Sequence, residues 1–272
     1  MSLAAITLPH VDPAAFRLGP FAPGWYAIAY AAAIAGIWTT ARALLRRDEL
    51  WGATPHPSPA GVEGLMAWGF AGSLIGGRFG YVLMRPEHFL AHPEQIAAIW
   101  QGGSSLHFAG IGGCIATWLY ARRHGWFSLT LADVCAPGVA LGIFFGRLAN
   151  FVRAEHPGRP SEVPWAVVFP GETVARHPSQ LYEAGLEGLA VFALLWWAAE
   201  RGGLKRPGLL AGLFGVGHGV ARVVCELFRV PGPESAGLPF GITMGMILTL
   251  PMIVAGLLAI RYALRRPLAG AA

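Results

Sequence analysis

The sequence is poor in charge. Asp, Glu, Lys and Arg make up 13% of its 272 residues and hydrophobic residues 54%, whereas soluble domains carry about 25% charged residues. The net charge of +5 comes from basic residues that are spread between apolar segments rather than gathered on one face, so we expect no nucleic-acid partner. These proportions exclude an ordinary soluble enzyme and indicate a protein that lies in a membrane.

Cysteine is also scarce. Cys114, Cys135 and Cys225 each lie in an apolar stretch, without a CxxC pair and without a histidine at metal-ligand spacing. We therefore expect them to pack in the interior rather than bind a metal. The first 24 residues lack a basic segment, because Arg17 is the first arginine or lysine, so we expect no cleavable signal peptide.

Long apolar stretches recur along the whole chain. Each is long enough to cross a hydrocarbon core of about 30 Å as a helix that rises about 1.5 Å per residue. The predicted spans are residues 25–43, 60–84, 104–121, 127–150, 179–199, 208–228 and 241–262. We therefore predict an all-α polytopic membrane protein with seven transmembrane helices in one domain, residues 1–272.

Basic residues mark one side of this arrangement. Eleven of the 20 lysines and arginines lie in alternate connections, after the last span, or at the adjoining ends of the spans. They are Arg42, Arg46, Arg47, Arg122, Arg123, Arg201, Lys205, Arg206, Arg261, Arg265 and Arg266. The positive-inside rule makes that side cytoplasmic. We therefore expect the N-terminus outside and the C-terminus in the cytoplasm.

Two connections on the predicted outer side are long. Residues 85–103 have the pattern of an amphipathic interfacial arm, in which apolar residues such as Phe89 and Leu90 lie near polar ones such as Glu94. Residues 151–178 contain Pro, Gly and the short apolar run WAVVFP. This composition predicts a small, partly extended periplasmic head.

Three arginines, Arg78, Arg147 and Arg222, fall within the predicted spans or at their outer ends. A charge at that depth is costly and therefore needs a partner or a function. Arg222 and Glu226 are four residues apart on one helix face, so they can pair. Two interpretations remain, a structural ion pair or an anion site in which the glutamate aims the arginine.

Arg147 and Asn150 lie together near the outer end of the fourth span, followed by Glu155 and Gly158. A guanidinium and an amide at that depth suit a phosphodiester headgroup. The alternative is a helix cap combined with an interface anchor.

Two histidines are further candidates. His107 opens the third span, where an imidazole could take a proton from a substrate, although a lone histidine is commonly structural. His218 lies four residues before Arg222 on the same face. It either joins that cluster or makes a polar contact between helices.

The sequence resembles the prolipoprotein diacylglyceryl transferases from the first span to the last. The segment GRLANFVRAEHPGRP at 146–160 is close to that family's signature, G-R-x-x-N-F-x-N-x-E-x-x-G. Further matches follow in consistent order. They are WY at 25–26, GGRFGY at 76–81, GGSSLH at 102–107, ADVCAP at 132–137, HPSQLYE at 177–183 and RVVCELFR at 222–229.

The resemblance implies a transferase of the bacterial inner membrane. It would move the diacylglyceryl group of phosphatidylglycerol to the lipobox cysteine of prolipoproteins and release glycerol-1-phosphate, the first step of lipoprotein maturation. The implied partners are phosphatidylglycerol, signal peptides that carry the lipobox cysteine, and membrane lipids. No metal or organic cofactor is implied.

The resemblance also implies residue roles. Arg147 and Arg222 would hold the phosphate, Glu226 would orient Arg222, and His107 would act near the thiol. These four are the candidate catalytic residues. The candidate substrate-binding residues are Tyr26, Arg78, Asn150, Glu155, Gly158 and His218. Arg78 and His218 are included because they lie in the predicted spans.

Four features depart from the family pattern. Gly24 stands where a histidine usually precedes Trp-Tyr, and Arg153 replaces the second asparagine of the signature. Phe108 and Ala109 replace a glycine pair, and His218 occupies a position that is normally tyrosine. Two rivals therefore stay open, a non-catalytic lipid-binding paralogue and another phospholipid-headgroup transferase. A transporter is disfavoured because the polar residues cluster at the outer side.

Overall fold

The computed structural model describes residues 6–19, 22–99, 103–232 and 242–267, without the side chains of Leu106 and His107. Long helices occupy all seven predicted spans in this part of the chain. The helices are α1 (Trp25–Leu45), α2 (Gly61–Leu83), the short α3 (Pro86–Ala91), α4 (Leu106–Arg123), α5 (Ser128–Val152), α6 (Ser179–Glu200), α7 (Leu209–Glu226) and α8 (Met244–Arg265). Short 3-10 turns lie at Asp48–Leu50, Pro93–Gln95 and Gly203–Lys205.

Five of these helices are long and apolar enough to cross a membrane, namely α1, α5, α6, α7 and α8. Their surfaces suit lipid. On α8, for example, Leu248 is 67% exposed and Leu258 61%. Such apolar surface is unfavourable in water and is at home in hydrocarbon. The all-α class and the multi-pass membrane character predicted from the sequence are therefore confirmed.

The chain divides into two compact units. The first unit comprises the described residues of 1–54 and 132–272, and the second unit comprises those of 55–131. The interpretation of residues 1–272 as a single domain stays a prediction.

In the second unit, α2 and α4 approach through glycines spaced four apart. A Cβ on Gly72 would lie 2.5 Å from the carbonyl oxygen of Gly112, and one on Gly76 would lie 2.9 Å from the Cα of Gly112. Lipid provides no hydrophobic drive for helix association, so this close backbone approach is what allows the two helices to pack. The predicted arm, 85–103, contains α3 and the turn at Pro93–Gln95, and its residues 100–102 lie outside the described part.

In the first unit, glycine again allows close helix contact. A Cβ on Gly212 of α7 would lie 2.8 Å from the carbonyl oxygen of Gly256 on α8. A Cβ on Gly188 of α6 would lie 2.7 Å from the Cβ of Phe144 on α5. These approaches bring α5, α6, α7 and α8 close enough for their polar side chains to meet.

The segment 151–178 is partly extended, as the sequence predicts. Its strand β2 (Val167–Val168) pairs in parallel with β1 (Ile6–Thr7), and Ile6 lies opposite Val167. A bridge joins Gly158 to Arg229 just beyond α7. The head is therefore tied both to the N-terminal segment and to the end of α7.

Gly188 and Gly185 provide a matched test of this packing, because both lie in the same helical segment. We expect Gly188→Ala to lower thermal stability, since its methyl group must displace Phe144, at a cost of about 1–3 kcal/mol. Gly185→Ala has open space and should leave the stability unchanged or raise it, because alanine favours helix. Thermal unfolding of the two purified variants in detergent measures the difference. Equal melting temperatures would contradict the packing described.

Candidate functional site

Two carboxylates of α6 lie in the apolar interior of the protein. The side chains of Glu183 and Glu187 are completely buried. The segment Ala184–Ala190 between and around them is π-helical rather than α-helical. Single π-helical turns inside helices occur frequently at functional sites. A pair of buried charges at such a turn therefore marks a candidate site.

Arg147 of α5 and Arg222 of α7 both contact these carboxylates. Arg147 Nε lies 3.3 Å from Glu183 Oε2, and Arg147 Nη2 lies 3.4 Å from Glu187 Oε2. Arg222 Nη1 donates to Glu183 Oε1 at 2.8 Å and to Glu187 Oε1 at 3.5 Å. The two glutamates therefore bridge the two arginines that the sequence identified on separate helices.

Glu226 and Arg229 extend the cluster. Arg222 Nη2 donates to Glu226 Oε1, which confirms the predicted pairing within α7. Arg229 Nη1 donates to Glu183 Oε1, and Arg229 Nε lies 3.4 Å from Glu226 Oε1. Thr243, just before α8, donates its hydroxyl to Glu226 Oε2 at 3.0 Å. Three arginines and three glutamates thus share one partly buried site, and their formal charges balance.

His218 lies next to these charges. Its Nδ1 lies 3.9 Å from Glu187 Oε2, and its ring stacks on Phe214 with a centroid distance of 5.5 Å. His218 therefore lies beside the cluster of Arg222, and its approach to Glu187 is also a contact between α7 and α6, so both interpretations of His218 stay predictions. Nδ1 is buried and has no hydrogen-bond partner among the described residues.

Close helix contacts set these distances. Gly188 packs on Phe144, one helical turn before Arg147, and this contact brings Arg147 against Glu187. At the other side, a Cβ on Gly245 would lie 2.7 Å from Glu226 Oε1. Glycine at 245 therefore leaves room for the carboxylate that orients Arg222.

A second polar group forms around the signature segment. Asn150, near the end of α5, donates through Nδ2 to the hydroxyl of Tyr26, and that hydroxyl donates to Glu155. Ala154 and His156, on either side of Glu155, both have φ of 55°. Residues with side chains rarely adopt this left-handed conformation, and such strain is found at functional sites.

Hydrogen bonds hold that strained turn in place. The backbone N–H of Glu155 donates to the carbonyl of Asn150 at 2.9 Å, and Gln180 donates to the carbonyl of Glu155 at 2.6 Å. Gln180 is fully buried at the start of α6. The turn therefore aims the Glu155 carboxylate at Tyr26, and it links the signature segment to the helix that carries the buried glutamates.

Gly158 is required by close backbone contact. Its N–H donates to the carbonyl of His177 at 3.0 Å, and a Cβ would lie 2.6 Å from the carbonyl oxygens of both His177 and Phe228. The chain after α5 is thereby fitted between the start of α6 and the end of α7. This contact places Arg229, the bridge partner of Gly158, beside the cluster.

Arg78 and His107 belong to the second unit. Arg78 is buried and donates to the backbone carbonyls of Ile96 at 2.9 Å, Gln95 at 2.5 Å and Gly103 at 3.3 Å. These bonds hold the arm to α2. The substrate contact predicted for Arg78 stays a prediction. His107 lies in the first turn of α4, and its side chain lies outside the described part of the chain.

Glu183, Glu187 and Arg229 were missed as site residues. The signal that could have found the two glutamates is the one used for the arginines, since a carboxylate in an apolar span also needs a partner. Arg229 follows the predicted span, so no burial cost pointed to it.

The fold and the cluster together define a class of protein, a multi-pass membrane protein with a buried arginine cluster whose charge is balanced by glutamates. Comparison with known proteins makes the assignment specific. The model of the prolipoprotein diacylglyceryl transferase family matches residues 13–262. The chain therefore belongs to the prolipoprotein diacylglyceryl transferase family.

Relatives resemble the chain over nearly its whole length. The phosphatidylglycerol–prolipoprotein diacylglyceryl transferase of Methylocella silvestris is 44% identical and covers 96% of this chain and 97% of its own. The enzymes of the same name from Ruegeria pomeroyi and Nitrobacter winogradskyi are 45% and 46% identical. The alignments cover 93% and 95% of this chain, and 96% and 90% of the length of those enzymes.

We expect Glu187→Gln to destabilise the protein, because the change removes a buried negative charge that contacts Arg147 and Arg222. Removing one partner of a buried ion pair costs about 3–5 kcal/mol. Glu200→Gln, on the same helix, is the matched control, since Glu200 pairs with Arg47 at an exposed position, where such a pair is worth about 1 kcal/mol or less. Thermal unfolding in detergent compares them. A larger loss for Glu200→Gln would contradict the bridging role of Glu187.

Proposed function

We propose that this chain transfers the diacylglyceryl group of phosphatidylglycerol to the cysteine thiol in the lipobox of a prolipoprotein, and releases glycerol-1-phosphate. Family membership and the names of the relatives support this activity. The observation that carries the proposal is the pair of arginines, Arg147 and Arg222, that meet around Glu187 between three membrane helices.

The arginine pair suits a phosphodiester. Guanidinium groups bind phosphate through paired N–H donors, and the side chains of Arg147 and Arg222 retain 25% and 17% exposure, so part of each is accessible. The buried glutamates hold both groups in position before the lipid arrives. Binding energy is then not spent on ordering the arginines, which is the advantage of a preorganised site.

In the proposed reaction the cysteine sulfur attacks the carbon of the diacylglyceryl group that bears the phosphate ester oxygen. A carbon–sulfur bond forms and the carbon–oxygen bond breaks, and the oxygen leaves with the phosphate as glycerol-1-phosphate. The leaving phosphate gains negative charge during this step. Arg147 and Arg222 stabilise that charge better than water does, because the site has a low dielectric constant.

The thiol must lose its proton. Its unperturbed pKa is about 8.5, so a base increases the fraction of reactive thiolate near neutral pH. We assign that role to His107 from the family resemblance. Tyr26, Asn150 and Glu155 form the polar wall of the lipid cavity, and Gly158 maintains the backbone contact that supports this wall.

Two rivals predict different products. A headgroup transferase would use the same anion site and move the phosphoglycerol portion, and a lipid-binding paralogue would bind phosphatidylglycerol without turnover. The departures at Gly24, Phe108, Ala109, Arg153 and His218 are what keep these rivals open. The balanced cluster around Glu187 favours the transferase, since it holds both proposed phosphate ligands in place.

We further propose that all seven long helices cross the bacterial inner membrane, with the N-terminus outside. Four helices carry an arginine over an aromatic ring four residues earlier, at the end predicted to be cytoplasmic. These pairs are Trp38–Arg42, Trp118–Arg122, Trp197–Arg201 and Tyr262–Arg266, with distances of 4.6–5.4 Å. Basic residues are enriched on the cytoplasmic side, whereas Trp and Tyr occur at both interfaces. A pair of the same kind, Tyr81–Arg85, lies at the predicted outer end of α2, so the proposed orientation rests on the distribution of the basic residues. The head, 151–178, would then lie in the periplasm, and the arm, 85–103, in the outer interface.

Arg147→Ala and Arg222→Ala should each abolish transfer, with losses of about 100-fold or more, as for other preorganised donors to a developing anion. Arg147→Lys and Arg222→Lys keep the charge and should rescue only in part, because lysine lacks the planar fork. Arg123→Ala, at the exposed end of α4, is the control. The assay is modification of a lipobox peptide by membranes with matched protein levels. Near-normal turnover in either alanine variant would reject the phosphate-binding role.

His107→Gln should lower turnover near neutral pH and lose less at high pH, where the thiol ionises without a base. His218→Tyr should preserve or raise activity if His218 only replaces the hydrogen bond of a tyrosine hydroxyl. Turnover of both variants from pH 6 to about pH 9.5, a range that spans the thiol pKa of about 8.5, measures these effects. An equal loss at every pH for His107→Gln would speak against its role as the base.

Topology can be tested by cysteine labelling in a variant that lacks the three native cysteines. We expect Arg123→Cys to resist an impermeant maleimide in intact cells, because α4 ends in the cytoplasm under the proposed orientation. Glu162→Cys, exposed in the head segment, should react. Labelling of position 123 with protection of position 162 would indicate the opposite orientation.

A further inference from the structure

A cavity of about 480 Å³ lies in the first unit, beside the beginning of α1. Its lining includes Arg17, Gly24, Trp25, Tyr26 and Arg153. Gly24 and Arg153 are two of the positions at which this sequence departs from the family pattern. The cavity is thus lined in part by residues at which this sequence departs from that pattern.

The charged side chains that line this cavity, among the described residues, are both cationic, Arg17 and Arg153. Their acidic partners are Asp12 and Glu155, which are outside the lining. Arg17 Nη2 lies 3.0 Å from Asp12 Oδ2, and Arg153 Nε lies 3.4 Å from Glu155 Oε1. Each guanidinium has five N–H donors, so these contacts leave donors for an anion in the cavity.

The wall formed by the N-terminal segment is held in place. Ala14 and Gly24 form a backbone bridge, and the indole N–H of Trp25 donates to the carbonyl of Asp12 at 3.0 Å. Asp12 also accepts from the N–H of Ala14 at 2.8 Å. The backbone before Arg17 is therefore held against the beginning of α1.

The cavity is continuous with the signature segment through two side chains. Tyr26 lines it, and the same Tyr26 hydroxyl donates to Glu155 and accepts from Asn150. Arg153 also lines it and pairs with Glu155. An anion in this cavity would therefore lie one side chain away from the polar wall assigned to the lipid.

We propose that this cavity is a binding site for a glycerol phosphate group, held by Arg17 and Arg153. Two guanidinium forks match a phosphate, whose monoester carries a charge of about −1.5 to −2 near pH 7. The volume is within the usual range for small-molecule sites, about 300–1,000 Å³. The choice of glycerol phosphate rests on the proposed function, which releases that compound. The same group is also the headgroup of phosphatidylglycerol.

Calorimetric titration of the full-length protein with glycerol-1-phosphate tests the proposal, in nanodiscs made of phosphatidylcholine alone. We expect saturable binding that the double variant Arg17→Gln/Arg153→Gln weakens at least tenfold. The charge-conserving pair Arg17→Lys/Arg153→Lys should bind with intermediate affinity, which shows that the loss does not come from misfolding. In Arg147→Lys, we expect the binding of glycerol-1-phosphate that Arg17→Gln/Arg153→Gln weakens to remain.

Nanodiscs that contain phosphatidylglycerol distinguish the two sources of the ligand. Weaker binding of glycerol-1-phosphate in those discs would support occupation by the lipid headgroup, and unchanged binding would support a site for the free product. The proposal would be overturned if the wild type showed no saturable binding, if the glutamine variant bound like the wild type, or if Arg147→Lys removed all binding. Peptide modification by the same preparations reports the proposed transfer separately, so either idea can fail alone.

Discussion

Glu187 bridges Arg147 and Arg222 in the apolar interior of the protein, and the rest of the site depends on that contact. A single charge at this depth would be too costly to retain. Three arginines and three glutamates meet there, so each charge has at least one partner of opposite sign at 2.8–3.5 Å. Because these ion pairs join residues of α5, α6 and α7, the cluster links the three helices to one another.

That requirement explains features which would otherwise look unrelated. The π-helical turn after Glu183 sets the direction of Glu187 relative to Glu183, and Gly188 allows α5 to approach until Arg147 reaches both. Gly158 then brings Arg229 to the cluster from the end of α7. Small residues at these contacts permit short distances between opposite charges. At short distances the attraction between these charges offsets the cost of burying them in a medium with a low dielectric constant.

The same arrangement connects stability to the proposed chemistry. In the proposed function, the buried glutamates that pair with Arg147 and Arg222 also hold these arginines in position for a phosphate, so binding needs little rearrangement. The signature segment contributes in a similar way. Its two left-handed residues, Ala154 and His156, direct Glu155 toward Tyr26 and Asn150, and this strain is supported by hydrogen bonds from Gln180 and Ser179.

Much of the fold could be predicted from sequence because apolar length and helix periodicity are local properties. The pairing of Arg222 with Glu226 and the place of His218 followed from helical spacing in the same way. The bridging by Glu187 could not be predicted, because it depends on which faces of α5, α6 and α7 meet. The contacts of Tyr26 join residues more than 120 positions apart. The π-helical turn also changes the spacing on which such reasoning relies.

The most direct test of the account is the fate of isotope in a single reaction. The purified protein is incubated with a lipobox peptide and phosphatidylglycerol that carries deuterium only in its headgroup glycerol. We predict a peptide that gains one diacylglyceryl group without deuterium, and an equal amount of deuterated glycerol-1-phosphate. Deuterium in the peptide would indicate headgroup transfer, and an unmodified peptide with bound lipid would indicate a non-catalytic relative. Either result would contradict the account.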